Sequence, residues 1–139
     1  EGADEIVVRK FIESPHGTTP CIYNGLPLRP EFRVFYDFDT RKPIFTANYW
    51  DYDYVYPHLH DATDKIVFEH ERECIEGAFK SEKDRVQAMV ETAMKRVTGL
   101  AGQWSVDILM DEGDNLWLID MAIAQRSAYW EKRPEGYAE

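Results

Sequence analysis

The sequence predicts an α+β domain with a mainly antiparallel sheet and two helices packed on one face. Strand-like runs come in pairs joined by short turns, and the stretch between the pairs carries apolar residues at helical spacing. Runs of strands separated by helices are the pattern of an antiparallel sheet with segregated helices. The 139 residues suffice for one domain with its own core, and no internal repeat or low-complexity segment divides them.

Residues 5–13, EIVVRKFIE, are β-branched and aromatic and read as a first strand. Prolines and glycines between Ser14 and Pro30 mark a loop, with a short irregular strand at residues 21–23. Residues 31–38 alternate, with Phe32, Val34 and Tyr36 on one face and Arg33, Phe35 and Asp37 on the other. A turn at residues 39–43 returns the chain through residues 44–52 as a hairpin. Residues 63–79 read as one helix, with Ile66, Val67, Cys74, Ile75, Ala78 and Phe79 towards one side. A second helix is expected from Ser81, a candidate N-cap with Asp84 three residues later, to a stop at Gly99. Two more strands, 103–110 and 116–122, flank a DEGDN turn, and the tail beyond Ile123 has no clear period.

A net charge of −10 and a pI near 4.8 argue against a nucleic-acid partner, since such binding rests on Lys and Arg neutralising phosphates. They leave room for a nucleotide whose phosphates meet a metal ion held by carboxylates. No apolar run approaches the roughly 20 residues of a membrane helix. Cys21 and Cys74 form no metal-type pair and are expected as reduced thiols in a cytoplasmic protein. No Ser-His-Asp or Cys-His system and no Gly-rich phosphate loop is present.

The C-terminal hairpin carries the chemistry. If its turn is centred near Gly113, residues whose numbers sum to 227 face each other, pairing Asp107 with Asp120 and Leu109 with Leu118. Trp104, Val106, Ile108, Trp117, Ile119 and Met121 then share the opposite face. Two opposed carboxylates among apolar neighbours repel each other unless a cation or a shared proton intervenes. Magnesium suits the pair, being content with one or two carboxylates plus phosphate oxygens. A register shifted by one, or a solvated pair at a sheet edge, stays open as the alternative.

VDILMDEGDNLWLIDMA resembles the segment of the ATP-grasp superfamily that ends in its metal-binding acids, and the spacing from Asp107 to Asp120 is similar. GLPLRPEFRVFYDF followed by PIFTANYWDYD resembles a hairpin found in some phage and bacterial ATP-grasp families and in the assembly-chaperone branch for a translation initiation factor. VVRKFIE looks like the family's hinge strand, whose backbone bonds adenine. The resemblance spans nearly all of the chain but only the C-terminal half of an ATP-grasp module. We therefore expect these residues to belong to a longer protein whose N-terminal subdomain carries the phosphate-binding lysines.

That resemblance implies ATP and Mg2+ as ligands, Asp107 as first metal ligand and Asp120 as bridging ligand. It points Arg33 at the phosphates, places Arg9, Lys10 and Phe11 at the adenine hinge, and sets Glu13 near the ribose. Arg126 is a candidate for the substrate carboxylate or γ-phosphate. Arg33 equally suits a strand arginine pairing with Asp37 or Glu31, and Arg126 a surface arginine. Where the family carries a ligating Asn two residues after the bridging acid, this chain has Ala122, leaving Gln125 or water to substitute. The implied activity is that of a ligase that activates a carboxylate or peptide substrate as an acyl phosphate for attack by an amine. The rival readings are a non-catalytic module that binds Mg-ATP and grips a protein partner, and a structural domain without nucleotide. His58, His60 and Asp61 show metal-like spacing but suit a solvated loop as well, and the aromatic run at Tyr49, Trp50, Tyr52, Tyr54 and Tyr56 suits packing better than base stacking.

Overall fold

The computed structural model describes Ile12 and residues 19–139. Arg9, Lys10, Phe11 and Glu13, with most of the expected first strand, lie outside the described residues.

A small hairpin comes first: β1 (Cys21–Ile22) and β2 (Leu26–Pro27), joined through Tyr23 and Asn24, both with positive φ. Four further strands form the main sheet: β3 (Glu31–Asp37), β4 (Lys42–Asn48), β5 (Gln103–Met110) and β6 (Leu116–Ile123). Their order is β4-β3-β5-β6 and every pairing is antiparallel. Helices α1 (Tyr52–Val55) and α2 (Ala62–Met94) lie between the two hairpins. Among the described residues the fold is thus α+β, with a mainly antiparallel sheet and two α-helices.

The helices differ from those the sequence suggests. One 33-residue helix replaces the expected pair, and it runs through Ser81 without a break. At about 1.5 Å per residue it is about 50 Å long. Asp61, outside the expected span, is its N-cap and accepts from the N–H groups of Thr63 and Asp64. The Ser81 hydroxyl donates back to the Ala78 carbonyl at 3.2 Å, as a mid-helix serine does, and Arg85 pairs with Glu82 at 2.7 Å across the supposed junction. Good helix formers on both sides leave nothing to stop the helix there. It ends at Met94, before Gly99, where Arg41 donates to the carbonyls of Met94 and Val97.

This helix serves two cores. Towards its C-terminus Val86, Val90 and Met94 pack on Phe32, Val34, Tyr36, Val106, Ile108 and Met110, the face the alternation assigned to β3 and β5. Towards its N-terminus Phe68 and Ile75 pack with Ile22, Leu28, Trp50, Val55 and Leu59. Ile66, expected on the buried side, is 71% exposed, and Cys74 is exposed too, because the apolar stripe there passes through Phe68.

The aperiodic tail covers the second sheet face. Ala124, Tyr129 and Trp130 pack on Phe35 and Ala47, with Trp130 5.3 Å from the Phe35 ring and 6.4 Å from Phe45. Among the described residues, Glu31, Asp107 and Asp120 line a cleft in which the tail has no part.

A continuous helix gives a sharp expectation for Glu82→Pro. Proline is tolerated at the first position of a helix that starts at Ser81 but costs about 3 kcal/mol or more in a helix interior. Urea denaturation should show the larger loss; a change below about 1 kcal/mol would mean the helix is broken there.

Candidate functional site

Asp107 and Asp120 stand directly opposite each other on β5 and β6, as the hairpin arithmetic predicts. Below them the register slips by one: Ile108 pairs with Leu118 and Leu109 with Trp117, leaving Ile119 as a bulge. The expected Leu109–Leu118 pair therefore does not form. Trp117 leaves the helix-packed face for the cleft that holds Asp107 and Asp120, and donates its indole N–H to Asp111 at 2.9 Å. Asp111 organises the turn, accepting also from the backbone of Gly113 and Asn115 and from the Asn115 side chain. The Trp117 bond, with those from Asn115 and Gly113, holds the Asp111 carboxyl below its usual range.

Arg33 is the partner of Asp107. The two residues pair across β3 and β5, and Nε and Nη2 of Arg33 donate to the two carboxylate oxygens at 2.8 and 2.9 Å. Their side chains are 13% and 8% exposed. A third bond runs from Nη1 to the Ala128 carbonyl at 3.3 Å, and the guanidinium lies 5.1 Å above the Tyr49 ring. Burial pulls the Arg33 pKa down, but the hydrogen bond and charge of Asp107 outweigh it and hold the guanidinium above its ordinary value. Of the partners the sequence offered, neither Asp37 nor Glu31 takes this arginine.

Glu31 lies two residues along the same strand face. Burial, the charge of Asp107 and then that of Asp120 raise its pKa from 4.5 to about 8, with Arg33 pulling the other way. Tyr49 is raised by burial and by Glu31, so its phenol stays protonated. Glu31, Asp107, Asp120, Tyr49 and Trp117 line an open cleft of about 570 Å³, together with Ile12, Leu26, Pro27 and Arg29. Arg29 is 6% exposed; its Nη1 donates to the Ile12 carbonyl at 2.6 Å and its Nε has no acceptor.

Magnesium binds one or two carboxylates and keeps several waters. Asp120 is exposed at the cleft, and its Oδ1 accepts from the Met121 N–H at 2.9 Å. Asp107 spends two of its roughly four lone-pair sites on Arg33. The donor chemistry therefore suits a hydrated magnesium. Among the described residues no group of three or more acidic, His or Cys side chains is placed to hold a metal ion, so a cation here would rest on one or two carboxylates and water.

The remaining expected residues lie apart. Arg126 is exposed in a single 3-10 turn, Ala124–Arg126, with no ion pair among the described residues. Gln125 donates to Gln103 at 3.2 Å, near the end of β5 remote from the DEGDN turn, and Ala122 sits opposite Ser105. His58 bonds the Tyr54 carbonyl, and Asp61 caps α2. Tyr52 and Tyr56 stack on each other, and Tyr52 on Phe68, which is packing. Arg29 and Glu31 were missed as site residues. Their signal is the odd-numbered run Arg29, Glu31, Arg33, which period-two alternation puts on one face.

No family model matches the chain, and no curated protein matches it either.

Two outcomes follow from this geometry. The folded state binds the Glu31 proton more tightly than the unfolded chain, so stability falls as pH rises from about 4.5 towards about 8. Glu31→Gln should leave stability near pH 4 almost unchanged and add about 1–3 kcal/mol at pH 8, measured by urea denaturation; an unaltered pH profile would refute the buried acid. Arg33→Met strands a buried carboxylate and should cost about 3–5 kcal/mol, most of it recovered when Asp107→Leu is added.

Proposed function

We propose that this domain supplies the metal and phosphate side of a Mg-ATP cleft and is half of an ATP-grasp ligase that activates a carboxylate for attack by an amine. The observation that carries the reading is the gathering of Asp107, Asp120 and Glu31 in one cleft. Burial and the charges of Asp107 and Asp120 push the Glu31 carboxyl up to about 8, and a divalent cation at the exposed Asp120 would relieve that repulsion.

Each residue has a task in that reading. Asp120 offers an exposed carboxylate to the cation, and Asp107 offers the lone pairs Arg33 leaves unused. Arg33 fixes Asp107 in one orientation and keeps positive charge beside the phosphates. Bound magnesium would neutralise the phosphate charge that builds up during transfer. Leu109, Trp117, Leu118 and Ile119 give the nucleotide an apolar wall that limits water. The adenine hinge and the lysines for the outer phosphates would come from the segment before Ile12 and from the second subdomain that the resemblance implies.

A second reading keeps the nucleotide but not the turnover. Arg33 occupies Asp107, and Ala122 offers no ligand where the resemblance calls for one. Leu26 and Leu118 at the cleft, 45% and 46% exposed, and Tyr23 nearby give a protein partner apolar purchase. A module that holds Mg-ATP while gripping such a partner accounts for these three features.

Calorimetric titration of Mg-ATP into the full-length protein decides between nucleotide and none. Wild type should bind, and Asp120→Asn should bind about tenfold more weakly, ~1.4 kcal/mol. Absence of binding, or equal binding by both, overturns the reading. ADP release on adding amino acids or peptides then marks the ligase, and partner capture without ADP release the binding module.

A further inference from the structure

Among the described residues, Arg29 is a buried cation of the cleft without an anion. Arg33 spends its Nε/Nη2 edge on both oxygens of Asp107. On Arg29 the same edge is unfilled. Nη1 reaches the Ile12 carbonyl, Nε is sealed from solvent without an acceptor, and no acidic residue pairs with the guanidinium among the described residues. A guanidinium cannot shed its charge when buried, as a lysine or histidine can. A residue 6% exposed with an orphaned donor is therefore short of a partner.

Its placement is fixed. The Met110 N–H donates to the Pro30 carbonyl at 2.9 Å, which extends the β3–β5 ladder past Glu31 and pins the backbone next to Arg29. Ile12, its one hydrogen-bond acceptor, lines the same cleft. Glu31, Asp107 and Asp120 line the same cleft. Asp107 is answered by Arg33, so the cleft holds an exposed carboxylate, Asp120, and a guanidinium without an anion among the described residues. A free anion would satisfy Arg29 and be repelled by Asp120. An anion that carries its own cation satisfies both.

We propose that Arg29, and not Arg33, is the residue that grips the oxyanion of the cleft ligand, taking a phosphate group through Nη2, the guanidinium nitrogen that is neither sealed nor bonded to Ile12. The proposal rests on the nucleotide reading for the identity of that phosphate, but not for the existence of the anion site. A guanidinium–phosphate bond is charge-assisted, about twice as strong as a neutral hydrogen bond. Arg33 acts through Asp107 and is a positioning residue.

The test uses calorimetry and thermal unfolding of the full-length protein with Mg-ATP, sodium tripolyphosphate with magnesium, and citrate with magnesium as probes. Wild type should bind the first two. Arg29→Gln, which keeps an amide donor but loses the charge, should bind both roughly tenfold or more weakly. Its melting temperature without ligand should be equal to or above that of wild type, since an uncompensated charge has been removed. A purely structural role would instead lower the melting temperature and leave the affinities of the folded fraction unchanged, which overturns the proposal. Should Arg29→Gln fail to fold, Arg29→Lys carries the test: it keeps the charge but not the planar guanidinium that reaches Ile12 and the ligand together, and should bind several-fold more weakly. Equal binding by Arg29→Lys and wild type overturns the proposal.

The outcomes separate the two readings. Tripolyphosphate binding that needs Arg29, with no Mg-ATP binding, removes the nucleotide and keeps the phosphate site. Mg-ATP binding indifferent to Arg29 keeps the nucleotide and removes this proposal. Citrate binding that needs Arg29, without tripolyphosphate binding, overturns the phosphate assignment in favour of a carboxylate ligand.

Discussion

The buried fork between Arg33 and Asp107 is the constraint around which the rest is arranged. It joins the two central strands, β3 and β5, and both charges are almost out of water. Breaking it would strand one charge in a poorly solvated place, so the fork disfavours any other pairing of these strands. A slip by one residue would also swing Phe32, Val34 and Tyr36 off α2 and drive Arg33 into the apolar core. Register, core face and polar face are thus fixed by the same pair.

The fork also divides the open sheet face. On one side of it Phe35, Phe45 and Ala47 are covered by Trp130 and Tyr129. On the other side Glu31 and Asp120 are left to the cleft. Tyr49 and Tyr129 sit at the boundary: the Tyr129 hydroxyl donates to the Tyr49 carbonyl at 2.7 Å, and Tyr49 lies beneath Arg33. Burial and the charge of Asp51 push the Tyr129 phenol up, so that bond keeps its proton in any ordinary buffer. The tail therefore does more than cover hydrophobic rings. Through Ala128 and Tyr129 it holds both the arginine and the tyrosine that border the acids.

Charge balance gives the cleft its character. Asp107 is neutralised by Arg33, and Glu31 holds a proton up to about pH 8. Asp120 and Arg29 remain, both lining the cleft and not paired with each other. A ligand that joins a cation to an anion complements both, and a magnesium-bound phosphate is the simplest such species. Neither a bare metal nor a bare anion answers both groups at once.

The sequence by itself determined what depends on neighbours along the chain or on a short turn. Alternation fixed which residues of β3 and β5 face α2, and a five-residue turn fixed the pairing of Asp107 with Asp120. Both are local, because a strand's period is two and a hairpin's register follows its loop. Tertiary structure decided everything that needs distant segments. The bulge at Ile119 turned Trp117 towards the acids. Ser81 reads locally as a cap, yet the single long helix prevailed because nothing stops it there and both its halves find a core to pack on. The tail had no period because its rings pack singly onto a sheet face instead of repeating along an element of their own. Most of all, the partner of Arg33 lay 74 residues away and the orphaning of Arg29 depends on what fails to reach it, and neither can be read from spacing. The two acids were legible as neighbours; only the folded chain shows that one is already answered by an arginine and that a second arginine is left wanting.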